Sequence, residues 1–458
     1  MTDLRSTAIH YAHQNRSRFL TELKEFCAIP SVSTDAERKA DVRRAAEWLA
    51  GRLMALGVVN VQVFETAGHP VVYGERLDAG ADKPTVLIYG HYDVQPAEPL
   101  ELWESAPFEP TERGEHLYAR GATDMKGQVI ASLAAIEAIL QSGRLPVNVK
   151  FMIEGEEEIG SPSLDAFMDS HRRLLACDMV LNPDSGILSA DLPTITYALR
   201  GLAYFELHVF GPAHDLHSGT FGGVIHNPAQ VLCELIAGMH DAHGRVTLPG
   251  FYDAVLPLSD EERAELARLP IDESHYLQES GAPALWGEAG YTAVERTGAR
   301  PTLEVNGLLS GFTGEGQKTV LPAWAMAKIS CRLVPNQNGE EVYGQMLRYL
   351  ETHAPKTVRW SLKKMTAGPP AMSDRHSKGV QALGRAMETV WGVRPLFKRE
   401  GGSVPVVAQC HKHLGVESVN TGFSMSGDNM HGPNEKVHLP TLWRGVDAFI
   451  HFFFNLAE

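Results

Sequence analysis

Three mainly apolar runs constrain this chain more than any other feature: "PTVLIYG" (84–90), residues 147–153 and "CDMVLNPD" (177–184). Each is short and is followed by a polar turn, and helix-patterned residues separate one from the next. Such runs fit strands buried on both faces, as in parallel sheets. Strands alternating with helices predict an α/β sheet. "VNVQVFET" alternates as a strand, and residues 127–140 read as an apolar helix. Residues 1–60 read as two helices, the second with Val42, Ala45, Ala46, Leu49, Leu53 and Leu56 at helical spacing before Gly57.

The pattern changes near residue 200. In "YFELHVFGP", Phe205, Leu207 and Val209 alternate with Tyr204, Glu206 and His208, as in a half-exposed antiparallel strand. Helices are expected near 228–240 and 339–352. "PTLEVNGLLSG" and "AWAMAKISCRLVP" read as strands, and "TAGPPAMSD" (366–374) as a linker. A helix at 375–391 and "VPVVAQC" return to the earlier style. The expected organisation is an α/β domain of residues 1–199 and 368–458 with a mostly parallel central sheet, interrupted by an inserted α+β domain, 200–367. At 458 residues the chain exceeds a single core, so two domains are the expectation.

Composition excludes several classes. The net charge of −15 argues against nucleic-acid or acidic-membrane binding, which need basic patches. The five cysteines are scattered and form no CxxC pair, which disfavours a disulfide framework or thiolate zinc site and favours a reducing compartment. No signal-peptide core opens the chain, and no apolar run approaches the roughly 18–20 residues that span a membrane. A cytoplasmic protein is the expectation.

Each apolar run leads into an acid or a histidine. His91 and Asp93 follow the first, in "GHYDVQP". Glu156, Glu157 and Glu158 follow the second, and Asp184 ends the third. Asp124, in "ARGATDMKGQ", lies where a helix opens. Taken singly, each has a plain structural reading: a surface turn, an N-cap, or a solvated loop before a helix capped by Ser161-Pro162. Taken together, they would collect at one sheet edge, where ligands bind in open α/β folds. A histidine–carboxylate cluster without cysteine suits Zn²⁺, Mn²⁺ or Co²⁺. One glutamate could ligate a cation and its neighbour could act on a water; spacing does not say which.

The order "GHYDVQP", "ARGATDMKG", "EGEEEIGS", "NPD", "DLHSG", "LVPN", "REGGSVP" and "HGPNE" resembles the M20 family of metallopeptidases, and within it the branch of cytosolic dipeptidases similar to carnosinase and cysteinylglycine dipeptidase. The likeness runs from residue 90 to 435. It implies a zinc-peptidase-like catalytic domain with two divalent ions per subunit, Zn²⁺ foremost and Mn²⁺ or Co²⁺ as alternatives. It also implies that the inserted domain is a lid and dimerisation domain, giving a homodimer. By the same resemblance His91, Asp124, Glu158, Asp184 and His431 are metal ligands, with Asp124 bridging. Asp93 orients His91, and Glu157 is the general base. Glu156 is a free position, expected to be a solvated neighbour.

His431 lies far along the chain from Asp184, so only an interrupted domain could join them. In the glycine-rich loop "HDLHSGTFGG", which also holds His214 and Ser218, the resemblance makes His217 the group that polarises the scissile carbonyl, working from the other subunit; His226 is a weaker candidate. Arg332 is implied as the clamp for a substrate's C-terminal carboxylate, helped by Thr319 and the turn Gly401, Gly402, Ser403. The implied activity is hydrolysis of dipeptides or short peptides, with N-acyl-amino-acid deacylation as the alternative on the same centre. The stretch 259–275 has no functional reading.

Overall fold

The computed structural model describes residues 3–402 and 404–458, so Ser403 lies outside the described residues. The chain forms two compact units. One comprises Met1–Tyr197, Ser373–Phe397 and Pro405–Glu458, the other Ala198–Met372 and Lys398–Val404. Among the described residues, no helix is long and apolar enough to cross a membrane.

The first unit is built on a sheet whose strands lie in the order Val59–Phe64, Val71–Arg76, Asn148–Glu154, Thr85–His91, Met179–Asn182, Ser418–Asn420 and Thr194–Leu199. The middle four run parallel, and antiparallel pairs flank them. Every residue of Asn148–Glu154 is buried, as are Val86 through His91. This is why these strands read as mainly apolar runs. Register pairs Gly90 with Ile153 and His91 with Glu154, so the two strands end side by side. The helix Gly127–Ser142 is buried from Gly127 through Ile139. It packs against Leu4–Gln14 and Leu439–Ala457, and the latter packs on Lys378–Trp391. Each large apolar side chain so buried contributes about 1.5–3 kcal/mol.

Three local expectations are corrected. Residues 1–60 hold three long helices, Leu4–Gln14, Arg16–Cys27 and Lys39–Ala55. Asn15 breaks the first from the second, its side-chain Nδ2 donating to the Tyr11 carbonyl at 2.9 Å, a side-chain bond that competes with helix continuation. The helix after the glutamates starts at Leu164 with Ser163 at its N-cap, and Ser161 sits instead in a left-handed turn, φ 52°. The 366–374 stretch is not all linker: the strand Arg359–Gly368 runs into it and Ala371–Met372 forms another.

The second unit contains an antiparallel four-stranded sheet in the order Thr302–Ser310, Trp324–Leu333, Gly201–Phe210, Arg359–Gly368. Gly201–Phe210 alternates buried and half-buried residues along its length. The buried set, Ala203, Phe205, Leu207 and Val209, forms a core with Val231, Leu235, Met346 and Leu350 from the helices Pro228–Ala237 and Gly339–His353. Truncating the fully buried Phe205 to Ala should destabilise this unit by about 3–5 kcal/mol, to be read as a lower urea midpoint.

Candidate metal centre

The parallel strands deliver their carboxyl ends to one edge of the sheet, where seven side chains of the first unit meet. His91 ends the strand Thr85–His91 and is fully buried. Its Nδ1 lies 3.1 Å from the Asp93 backbone oxygen and 3.5 Å from Asp93 Oδ1. A carbonyl only accepts, so this contact places a proton on Nδ1 and turns Nε2 into the cluster. The Asp93 carboxylate also accepts the N–H groups of Glu157 (3.2 Å) and Glu158 (3.1 Å), fastening the glutamate turn to the neighbouring strand end.

Asp124 sits in the loop before Gly127–Ser142, with φ −128° and ψ 98°. It does not cap that helix. Its Oδ1 lies 3.1 Å from His91 Nε2 and its Oδ2 lies 2.9 Å from His431 Nε2. Gly127 is required for this close turn, because a Cβ there would meet the Ala122 carbonyl at 2.3 Å. Glu157 and Glu158 lie in the 3₁₀ turn Glu157–Ile159. Glu158 Oε2 is 3.3 Å from His431 Nε2, and Asp184 Oδ1 is 3.8 Å from His91 Nε2. The ligating atoms of His91, Asp124 and Glu158 lie within 4.8 Å of one another, as do those of His91, Glu157 and Asp184.

Glu156 departs from expectation. It is buried rather than solvated, with Oε1 accepting the His69 N–H at 2.9 Å and Oε2 the Ser163 N–H at 3.0 Å. It anchors both ends of the glutamate segment, because a buried carboxylate must be hydrogen-bonded. Sequence reasoning also missed Gln95, whose Nε2 donates to Glu158 Oε2 at 2.8 Å. It missed Glu154, which takes the hydroxyls of Tyr89 and Ser161, each at 2.8 Å. Both lie in quoted motifs or at a strand end, but neither has a spacing that marks it.

The electrostatics follow from crowding. Burial and the charge of Asp184 push the Glu157 carboxyl up to about 8, and burial and Asp124 do the same to Glu158. Burial lowers His91, yet hydrogen bonds to Asp124, Asp184 and Asp93 outweigh it and raise the ring well above its ordinary value. Burial opposes ionisation of Asp124 too, but its bonds to His431 and His91 hold it well below the usual carboxylate range. Ligands about 2.1 Å from a tetrahedral ion lie about 3.4 Å apart, close to the spacings between Asp124, Glu158 and the two histidines. The donor set of imidazoles and carboxylates fits divalent cations.

The remaining candidates belong to the second unit. His217 is exposed on the strand Leu216–His217, and its Nδ1 accepts the Gly219 N–H at 3.0 Å. Next to it, the Thr319 carbonyl accepts the Ser218 N–H at 3.0 Å. His226 Nδ1 lies 2.7 Å from Thr357 Oγ1. Arg332, on Trp324–Leu333, lines a cavity of about 410 Å³ with Arg200, Glu304 and Trp286. Gly402 is exposed.

The sequence profile of peptidase family M20/M25/M40 matches residues 87–455. This chain belongs to that family. The metallopeptidase is 32% identical to the Cys-Gly metallodipeptidase DUG1 of Candida albicans, over 96% of this chain and 95% of that one. It is also 32% identical to the human Beta-Ala-His dipeptidase, over 98% and 92%. In structure it is similar to the M20 family metallo-carboxypeptidase Sso-CP2 from Sulfolobus solfataricus, with TM-score 0.82 and 31% identity over 96% of this chain and 99% of that chain. It is likewise similar to human carnosine dipeptidase 1, with TM-score 0.77 and 31% identity over 99% of each chain.

Metal loading should release protons. Glu158 carries its proton up to about pH 8, and ligation requires the ionised form. Zn²⁺ affinity should therefore fall as pH drops from 8 to 6, as measured by chelator competition. Calorimetry in buffers of different ionisation enthalpy should register the released protons at pH 7.

Proposed function

We propose that this metallopeptidase hydrolyses the peptide bond of dipeptides or short peptides that carry a free C-terminal carboxylate. The observation that carries the reading is Asp124 set between His91 and His431, with Glu157 alongside. The relatives named as dipeptidases supply the substrate class and favour it over N-acyl-amino-acid deacylation.

In this reading His91, Asp124 and Asp184 hold one divalent ion, and Asp124, Glu158 and His431 hold the second. Zn²⁺ is the first choice for such N/O donors, then Mn²⁺ or Co²⁺. When bound, the ions act as Lewis acids toward a carbonyl and lower the pKa of a water. Glu157 takes the proton of the attacking water and returns it to the leaving amine. Asp93 holds the His91 ring in place. It also holds the backbone that carries Glu157.

His217 is assigned to the oxyanion, and Arg332, Thr319, Gly402 and Ser403 to the substrate carboxylate. Guanidinium chemistry supports the role of Arg332, and an exposed imidazole supports that of His217. A homodimer through the second unit is part of the proposal. Its support is the apolar surface left by Leu308, Leu309, Phe312 and Trp324 at an edge strand and its neighbour. The cytoplasm is the proposed compartment, in keeping with five free cysteines.

The test strips the protein with chelator, restores Zn²⁺ or Mn²⁺, and follows amine release from L-dipeptides and N-acetyl amino acids. Restored cleavage of the dipeptides is expected; cleavage of only the acylated substrates would move the function to deacylation. Glu157→Gln should keep its metal content and lose about 10²–10⁴-fold in kcat. Parallel loss of metal would reassign Glu157 as a ligand.

A further inference from the structure

The motif "HGPNE" supplies His431 to the centre, but its last residue also has a place there. Glu435 is buried, 1% exposed. Its Oε2 accepts from Arg120 Nη1 at 2.7 Å and from the Gly121 N–H at 2.9 Å. Its Oε1 accepts from the N–H groups of Thr123 at 3.0 Å and Asp124 at 3.1 Å. Its own carbonyl takes the Ala119 N–H at 3.1 Å. Arg120 is equally buried and balances the charge, its other nitrogen donating to the Pro96 carbonyl at 2.9 Å.

The segment 119–124 runs between a short strand and a helix, where no ladder takes up the N–H groups of Gly121, Thr123 and Asp124. Buried N–H groups without acceptors are costly. A carboxylate suits four converging donors because both oxygens only accept. An amide cannot substitute, since its NH₂ would face two of those donors. Asn434, the neighbour of Glu435, pins the His431 loop to residues 102–104. Its Oδ1 accepts the Glu104 N–H at 2.9 Å, and its Nδ2 donates to the Leu102 carbonyl at 2.8 Å.

We propose that Glu435 is a positioning residue of the metal centre: without being a ligand, its carboxylate holds the backbone of Asp124 in register with His431. The inference rests on the metal reading above. The shared carboxylate and the second histidine lie on different loops, and Glu435 ties one to the other. Loosening it leaves every ligand present but lets the distance from Asp124 to His431 vary.

The experiment uses the full chain and compares wild type, Glu435→Gln and Glu435→Asp with Glu137→Gln. Glu137 is a buried carboxylate paired with Arg18 and Arg52 on other helices, so it controls for lost stability alone. Zn²⁺ dissociation constants come from chelator competition, apoprotein folding from circular dichroism, and kcat from titration to saturating Zn²⁺. The expected result for Glu435→Gln is a folded apoprotein with about 10–100-fold weaker Zn²⁺ binding and kcat recovering as Zn²⁺ is raised. Glu137→Gln should lower the apoprotein Tm and leave Zn²⁺ affinity within about twofold of wild type, far short of that loss. Wild-type affinity in Glu435→Gln overturns the proposal. If that variant does not fold, Glu435→Asp retracts the oxygens by one methylene, and unchanged affinity there overturns it equally. A wild-type protein that binds no divalent ion would sink the metal reading itself.

Discussion

Asp124, with one oxygen toward His91 and the other toward His431, is the contact on which the rest of the site depends. It brings negative charge into a buried space that already holds Asp184, Glu157 and Glu158. Like charges so placed either take up protons or share cations. The two carboxyls raised to about 8 beside a depressed Asp124 express that competition, and a divalent ion among them resolves it by supplying positive charge.

The scaffold keeps such a cluster intact by making it rigid. Parallel strands place His91 and the glutamate turn next to each other through register alone. Neighbouring polar side chains then fix the loops. Asp93 holds the backbone of Glu157 and Glu158, Gln95 holds Glu158, and Glu156 holds the segment at His69 and Ser163. Glu435 performs the same service for the loop of Asp124. These are mostly carboxylates accepting backbone N–H groups, the bond that best satisfies irregular chain where no ladder exists.

The second unit follows different rules. Its antiparallel sheet buries one face against two helices and leaves the other half-exposed, so its strands alternate. That contrast separates the two styles of chain.

The three apolar runs, the change of period near residue 200 and the acids at strand ends were all legible in the sequence, because burial on two faces, burial on one, and a polar turn each leave a local signature. Helix ends were less legible: Asn15 acts through a side-chain bond to the Tyr11 carbonyl and Ser163 gives its N–H to Glu156, bonds that apolar spacing does not record. The glutamate run shows where local reading stops. Glu156, Glu157 and Glu158 are identical by type and consecutive. Yet one is a buried anchor, one lies beside Asp184 and one faces His431. Composition and periodicity by themselves determined the α/β sheet and the edge at which charged groups collect. Only the tertiary structure decided which carboxylate meets a histidine and which meets an N–H, because the partner of a buried charge comes from elsewhere in the chain.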